Sequence, residues 1–342
     1  MKKNLFHLAT VICLATTLSA QQPMATLNHN DSITVFYGSN ALIDAHVAAE
    51  NGDIITLSAG TFLAVAEISK AVTIRGAGMF ADSMANTDPT IITGNIVLNI
   101  LEDPLNHLTL EGIRFINNIY YTEVYRPHFI KCKIQSISET YSIAMQEAVF
   151  INCIIHGWCN MIRNSEWIAT NTTFLNSVIL GTTNYQYDGS PELYQNCILK
   201  LSYNQVQNKQ LYNCIVYSEG NYPGVNNNSY NSYNCVGIAT RWGEDWNYFY
   251  TLEGYGNHQN YNMTWGGVFV SFRGTYAEGE SFELQDSIAT TILGNDGTQV
   301  GIYGGLYPFD PRVSNPQIRR INVANRSTAD GKLSVDIEVV NE

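Results

Sequence analysis

Asn152-Cys153-Ile154, Asn196-Cys197-Ile198, Asn213-Cys214-Ile215 and Asn234-Cys235-Val236 are four copies of one short pattern, Asn-Cys-hydrophobic, inside the stretch from Gly112 to Gly237. Gly112-Ile113-Arg114, Lys131-Cys132-Lys133 and Asn171-Thr172-Thr173 fill the other places. The middle position therefore falls at 113, 132, 153, 172, 197, 214 and 235, in steps of 19, 21, 19, 25, 17 and 21 residues. A step near 20 that tolerates small insertions marks a solenoid, in which each repeat buries its apolar side against the next.

With the middle position as zero, +2 holds Phe115, Ile134, Ile155, Phe174, Leu199, Val216 and Gly237, and −3 holds Leu110, Phe129, Phe150, Ala169, Tyr194, Leu211 and Ser232. Apolar residues two apart mean strand, because successive side chains point to opposite faces. Position −1 is Gly, Lys or, five times, Asn, which tolerates the left-handed backbone of a sharp bend. Each repeat reads as strand, one-residue bend, strand and looser loop. The fold class is all-β, a right-handed parallel β-helix. A leucine-rich repeat would need Leu-x-x-Leu-x-Leu spacing, and a sandwich would show turns every 8–12 residues.

Seven cysteines occur, and five stand at position zero. An even set of six after export would suggest disulfides. Their shared repeat position instead predicts an inward column of small apolar side chains, stacked as free thiols. No Cys-x-x-Cys pair is present, and His156 near Cys159 is a lone neighbour, so no metal site is expected.

Residues 1–20 read as an export signal: Lys2 and Lys3, an apolar run from Leu5 to Leu18, and Ser19-Ala20 before Gln21. The run is short for a membrane span. Charged residues are only 14% of the chain and its formal charge is −12, more acidic still once the two lysines leave. That balance disfavours nucleic acid and anionic membranes and permits divalent cations. It suits an exported product, secreted or held at the cell surface of a bacterium.

Residues 21–32 read as a loose segment, and residues 33–310 as the solenoid. A helix over Ala41 to Glu50, with Ser39 as its cap, precedes the strand Asp53-Ile-Ile-Thr-Leu57. Gly60-Thr61-Phe62 and Thr73-Ile-Arg-Gly-Ala-Gly78 follow, with Gly76 at a bend. This opening resembles the entry to pectin-lyase-like β-helix proteins. The resemblance implies that the helix plugs the open N-terminal end of the solenoid. Ser287-Ile-Ala289, Asp296-Gly297-Thr298 and Gly301-Ile-Tyr303-Gly304 resemble in part the closing segment of secreted bacterial β-helix proteins. Val268–Phe272 and Phe282–Leu284 read as resumed strands. Residues 311–342 form a short C-terminal β tail, with strands at 318–323 and 332–340.

The calcium-binding Asp set and catalytic Arg of pectate lyases are missing, as are the Asn-Thr-Asp, Asp-Asp and Gly-His-Gly motifs of polygalacturonases. No cofactor is required, although calcium fits paired carboxylates. Two features carry chemistry. The aromatic-rich stretch 239–267 offers Trp242, Glu244, Asp245, Trp246 and Trp265, platforms and carboxylates suited to sugar rings. Its alternative reading is a loop that buries its own aromatics. Repeat position −6 holds His107, Arg126, Glu147 and Glu166 on four rungs. Stacked, Arg126, Glu147 and Glu166 would supply a cation, a base and an acid, and are otherwise a solvated charge ladder. The sequence therefore points to a non-catalytic β-helix that binds polysaccharide or cell-surface glycan, or serves adhesion. A polysaccharide lyase or glycoside hydrolase is the alternative.

Overall fold

The computed structural model describes residues 22–82, 87–140, 145–159, 171–181, 192–201, 209–218, 231–238, 256, 258–259, 264–312, 317–323, 332 and 335–340. Residues 1–20, read above as an export signal, and most of the aromatic stretch lie outside them. The chain forms a parallel β-solenoid of about six turns. Two long sheets run along it.

The first sheet stacks Thr109–Glu111, His128–Ile130, Val149–Ile151, Thr173–Leu175, Glu192–Gln195, Lys209–Tyr212 and Asn231–Tyr233 in parallel register. After one bend residue the chain enters the second sheet. Its strands include Arg114–Tyr125, Lys133–Glu139, Ile154–Ile155, Val178–Ile179, Ile198–Leu201, Ile215–Ser218, Val236–Ile238 and His258–Gln259. From the rung of Gly112 onward the bend is left-handed: Gly112, Lys131, Asn152, Asn176, Asn196, Asn213 and Asn234 have φ between 47° and 65°. Asn bears that conformation at less cost than most residues.

The register corrects one repeat. Val149 pairs with Thr173, and Thr173 with Leu193. The bend of that rung is therefore Asn176-Ser177, not Asn171-Thr172. Position zero there is Ser177, and position −3 is Phe174 rather than Ala169. With this register the −3 side chains form an inward stack. Phe129–Phe150, Phe150–Phe174 and Phe174–Tyr194 have ring centroids 4.6, 4.6 and 4.7 Å apart and nearly parallel planes. The spacing is that of neighbouring strands, so the ladder of backbone hydrogen bonds imposes the stacking.

The position-zero column is as expected. Cys132, Cys153, Cys197, Cys214 and Cys235 are fully buried and free. Each thiol donates to the −3 carbonyl of the rung before and to the −2 carbonyl of its own, as Cys214 does to Tyr194 O (3.4 Å) and Tyr212 O (3.2 Å). Burial pushes the thiols of Cys132, Cys214 and Cys235 well above the usual range. They stay protonated and keep these bonds. Ser177 makes the same pair of contacts, to Phe150 O (3.5 Å) and Leu175 O (2.8 Å). From Cys132 to Cys235 the column thus takes a small side chain with one donor, while Ile113 below it is purely apolar.

The segment expected to be loose is ordered. Met24–His29 and Ser32–Tyr37 form an antiparallel hairpin, and Met24–His29 also pairs antiparallel with Ile54–Leu57. Its turn residues, Asn30 and Asp31, both have positive φ (48° and 62°), as a two-residue type I′ turn needs. The following helix is Ala41–Ala48. Asn40, not Ser39, precedes it, with no side-chain cap. Its C-terminal carbonyls are capped instead by Lys70, whose Nζ donates to the carbonyls of His46, Val47 and Ala49 at 2.7–2.9 Å. Ala41, Leu42 and Ala45 join the main core.

Parallel pairing ends, among the described residues, at His258–Gln259. Residues 264–312 do not resume it. Val268 ends the short helix Trp265–Val268, and Phe269 meets Leu284 only in an isolated antiparallel bridge. This segment is a strap laid along the outside of the second sheet. The tail pairs Gln317–Val323 with Val335–Val340 as an antiparallel hairpin, close to the expected strands.

Candidate functional site

Position −6 is a second left-handed column. Arg126, Glu147 and Asn171 have φ of 49°, 52° and 48°. Asn171 occupies the rung position next to Glu147 because Thr173, two residues on, pairs with Val149. Glu166 stands five residues upstream and lies outside the described residues. The −6 position beside Glu147 is therefore Asn171, and the expected stack of Glu147 on Glu166 lies outside the described residues. An amide stands where the acid–base pair, or the second calcium oxygen, was expected.

Arg126 and Glu147 are neighbours, as the bond from Arg126 N to Gln146 O (2.8 Å) shows, yet they form no ion pair. The Arg126 guanidinium donates to Asp103 O (3.2 Å) and lies 4.9 Å from the centre of the Tyr125 ring. The Tyr125 hydroxyl donates to Glu147 Oε1 (3.2 Å). His107 contacts the half-buried His128, with ring centroids 4.2 Å apart. Burial, then the charges of His107 and Arg126, lower the pKa of His128.

Trp242, Glu244, Asp245 and Trp246 lie outside the described residues. Trp265 is described, and it is a packing residue. Thr264 caps its helix by accepting from Gly267 N (3.3 Å). The indole meets Tyr217 edge-on at 4.3 Å and Phe272 at 5.3 Å. Its ring partners lie outside the stretch 239–267, in the second sheet and the segment that follows.

The strap builds a second core. Outer-face residues of the second sheet, among them Ile154, Val178, Ile198, Ile215, Tyr217 and Val236, pack against Val268, Phe269, Phe272, Phe282, Ile292, Val300 and Ile302. Position +1, which looked mixed in sequence, is apolar wherever this core lies over it. Where +1 turns basic, the strap turns acidic: Glu278 pairs with Arg114 (3.0 Å) and with Lys133. Lys133 is only 3% exposed, and its ammonium lies 4.8 Å from the centre of the Tyr276 ring. Burial is the largest cause of its lowered pKa, partly offset by Glu278. His156 stacks on Tyr276 at 5.2 Å, and burial followed by the Lys133 charge lowers its pKa to about 4.

The strap is also fixed at the bends. Asn176 Nδ2 donates to Ile302 O (2.9 Å) and Gly304 O (2.6 Å). Asn213 exchanges bonds with Asn295, both at 3.1 Å. Gly305, at φ 76°, approaches so closely that a Cβ there would lie 2.7 Å from Asn196 Oδ1. The Gly301-to-Gly305 run thus lies against the asparagine bends and needs glycine for contact.

The outer face of the first sheet differs. From His128 onward the described side chains at positions −4 and −2 are partly exposed, while −3 between them is buried. From His128 to Tyr233 these positions carry no Asp, Glu, Lys or Arg: His128, Ile130, Val149 and Ile151 give way to Thr173, Leu175, Gln195, Gln210, Tyr212 and Tyr233. Tyr212 and Tyr233 stack at 4.9 Å with planes 5° apart. This ribbed, uncharged surface of tyrosine, amide and aliphatic groups is the candidate site. These residues stand at fixed repeat positions, but none is charged or carries a motif that marks it in the sequence.

A parallel β-solenoid with one strapped face and one uncharged, partly exposed face is the class that these features define. No protein-family model, no curated protein and no solved structure matches the chain.

Proposed function

We propose that this chain is an exported, non-catalytic β-solenoid that binds an uncharged glycan along the outer face of its first sheet, in an adhesive or surface role. The uncharged ladder from His128 to Tyr233 in an acidic chain is the observation that carries the reading. Tyrosine and amide groups repeating at about 4.8 Å suit a polymer of hydroxyl-rich rings through apolar contact and hydrogen bonds. A right-handed winding, a plugging role for helix Ala41–Ala48, the resemblance to pectin-lyase-like proteins and a bacterial, extracellular location belong to the same proposal.

The alternative, a polysaccharide lyase or hydrolase, draws on Arg114, Lys133, His156, Tyr276 and Glu278, where two bases have lowered pKa values. A glycan array run beside assays for reducing ends and unsaturated products separates the two. Binding to neutral glycans without product, lost in Tyr212→Ala, is expected. Product formation overturns the non-catalytic reading. Absence of any neutral glycan ligand overturns the binding one.

A further inference from the structure

The hairpin Met24–His29/Ser32–Tyr37 leaves Ser32–Tyr37 as the terminal strand of the eleven-stranded sheet. Among the described residues its inner neighbour is paired on both sides, but Ser32–Tyr37 is paired on one. The direction of its open edge follows from one bond. Gly38 N donates to Pro23 O (2.7 Å), so even-numbered residues of this strand turn their backbone groups toward Met24–His29. Ile33, Val35 and Tyr37 turn theirs toward the open side. Their side chains are 68%, 39% and 66% exposed on one face.

Nothing on the strand protects that edge. Ser32-Ile-Thr-Val-Phe-Tyr37 holds no charge, no proline and no glycine. Natural edge strands are usually blunted by such residues. In a chain with 30 acidic residues this is a neutral patch where two copies can meet without repulsion.

The strand is also complementary to itself. Antiparallel pairing of two copies about a two-fold axis at Val35 sets Val35 opposite Val35 of the other copy, and Ile33 opposite Tyr37. All three facing pairs are then of the hydrogen-bonded kind, so every open N–H and C=O of Ile33, Val35 and Tyr37 gains a partner. On the exposed face the six side chains form one apolar row, with aromatic beside β-branched residues, a favourable cross-strand combination. Asp31 of the two copies would be eight positions apart, about 27 Å along the strands and beyond the reach of unscreened repulsion at physiological salt.

We propose that the solenoid dimerises through this edge, N-terminal end to N-terminal end, with the two first sheets joined into one. The arrangement is closed and isologous, so it stops at two. It would present two candidate glycan faces on one rod, and it stands independently of whether those faces bind glycan.

Sedimentation velocity of the purified full chain, from about 1 to 100 μM, tests the proposal. A concentration-dependent species of twice 38.1 kDa is expected. Val35→Pro removes only an open-side N–H, and Val35→Lys sets two like charges opposite each other. Both should sediment as monomer at all concentrations with the thermal midpoint of the wild type. Val35→Cys should form a covalent dimer on mild oxidation, because facing Cα atoms about 5.5 Å apart suit a disulfide. Ile33→Cys should not exceed the wild-type background, since its counterpart is about 14 Å away along the strand. A wild-type monomer throughout the range, a dimer that survives in both Val35 variants, or cross-linking by Ile33→Cys but not Val35→Cys would each overturn the proposal. The first of these is also what occupation of the edge by the chain's own residues 1–21 would produce.

Discussion

The outer faces of the two sheets are built by the same repeat and meet opposite fates. On the second sheet, position +1 is Ile or Val from Ile154 to Val236, and residues 264–312 cover it with a second buried core. On the first sheet, positions −4 and −2 mix aliphatic, amide, threonine and tyrosine side chains, and they remain partly exposed. A β-strand has two faces, and only one can point into a solenoid. The face that points out is covered when its column is uniformly apolar and left open when its column is mixed. The charged end of the covered face obeys the same logic, because Arg114 and Lys133 meet Glu278 of the strap.

The contrast is broken most strongly by Phe272→Ala. Phe272 is fully buried and packs edge-on against Trp265, Phe269 and Phe282. Its loss should cost about 3–5 kcal/mol in urea unfolding, as for other core aromatics. A loss below about 1 kcal/mol would mean that the strap is not a core.

Acid should act next. His156 under the strap and His46 in helix Ala41–Ala48 each have a pKa lowered from 6.5 to about 4, chiefly by burial. Between pH 6.5 and 4 the unfolded chain binds more protons than the folded one, so stability falls as pH falls through that window. The loss should be on the order of 2–3 kcal/mol per histidine. His156→Phe should remove about half of the combined pH dependence. A profile between pH 7 and 4 that is unchanged by this variant would show that His156 is solvated.

The corner shared by both sheets should respond more mildly. Cys197→Ala should cost about 1–2 kcal/mol through lost burial and a small cavity. Ser177→Cys should change stability by less than about 1 kcal/mol, since the thiol fits the same pair of carbonyls. Thiol titration of the denatured wild type checks the column directly: fewer than four reactive thiols would mean disulfides.

The open face should be the most tolerant. Tyr212→Ala should cost about 0.5–1.5 kcal/mol, the value of one stacked pair, while abolishing glycan retention. A drop of more than about 3 kcal/mol would place Tyr212 in a core and end the comparison.

Much of this fold was legible in the Asn-Cys-hydrophobic repeat: strand, bend, strand, the left-handed asparagines and the buried free thiols; the tail hairpin was legible in its own alternating pattern. The one misread rung is instructive. Thr173-Phe-Leu-Asn-Ser-Val-Ile179 matches Val149-Phe-Ile-Asn-Cys-Ile-Ile155 residue for residue in character, but serine concealed the match. Asn171 then offered a rival bend, and it does bend, five residues earlier. That reading placed Glu166 on the −6 column, whereas the register gives that position to Asn171. Val268–Phe272 and Phe282–Leu284 misled for a different reason. Their apolar residues alternate as strands do, yet they pack on the outside of a sheet that already has its parallel neighbours.

Local pattern determined what each repeat is, because period-two burial and a left-handed bend are properties of a few adjacent residues. Which columns end under cover and which face solvent was decided only in three dimensions. Contacts such as Glu278 with Lys133, Asn176 with Gly304 and Trp265 with Tyr217 join residues 48 to 145 positions apart. No window along the chain contains both partners, and only the stacked rungs bring them together.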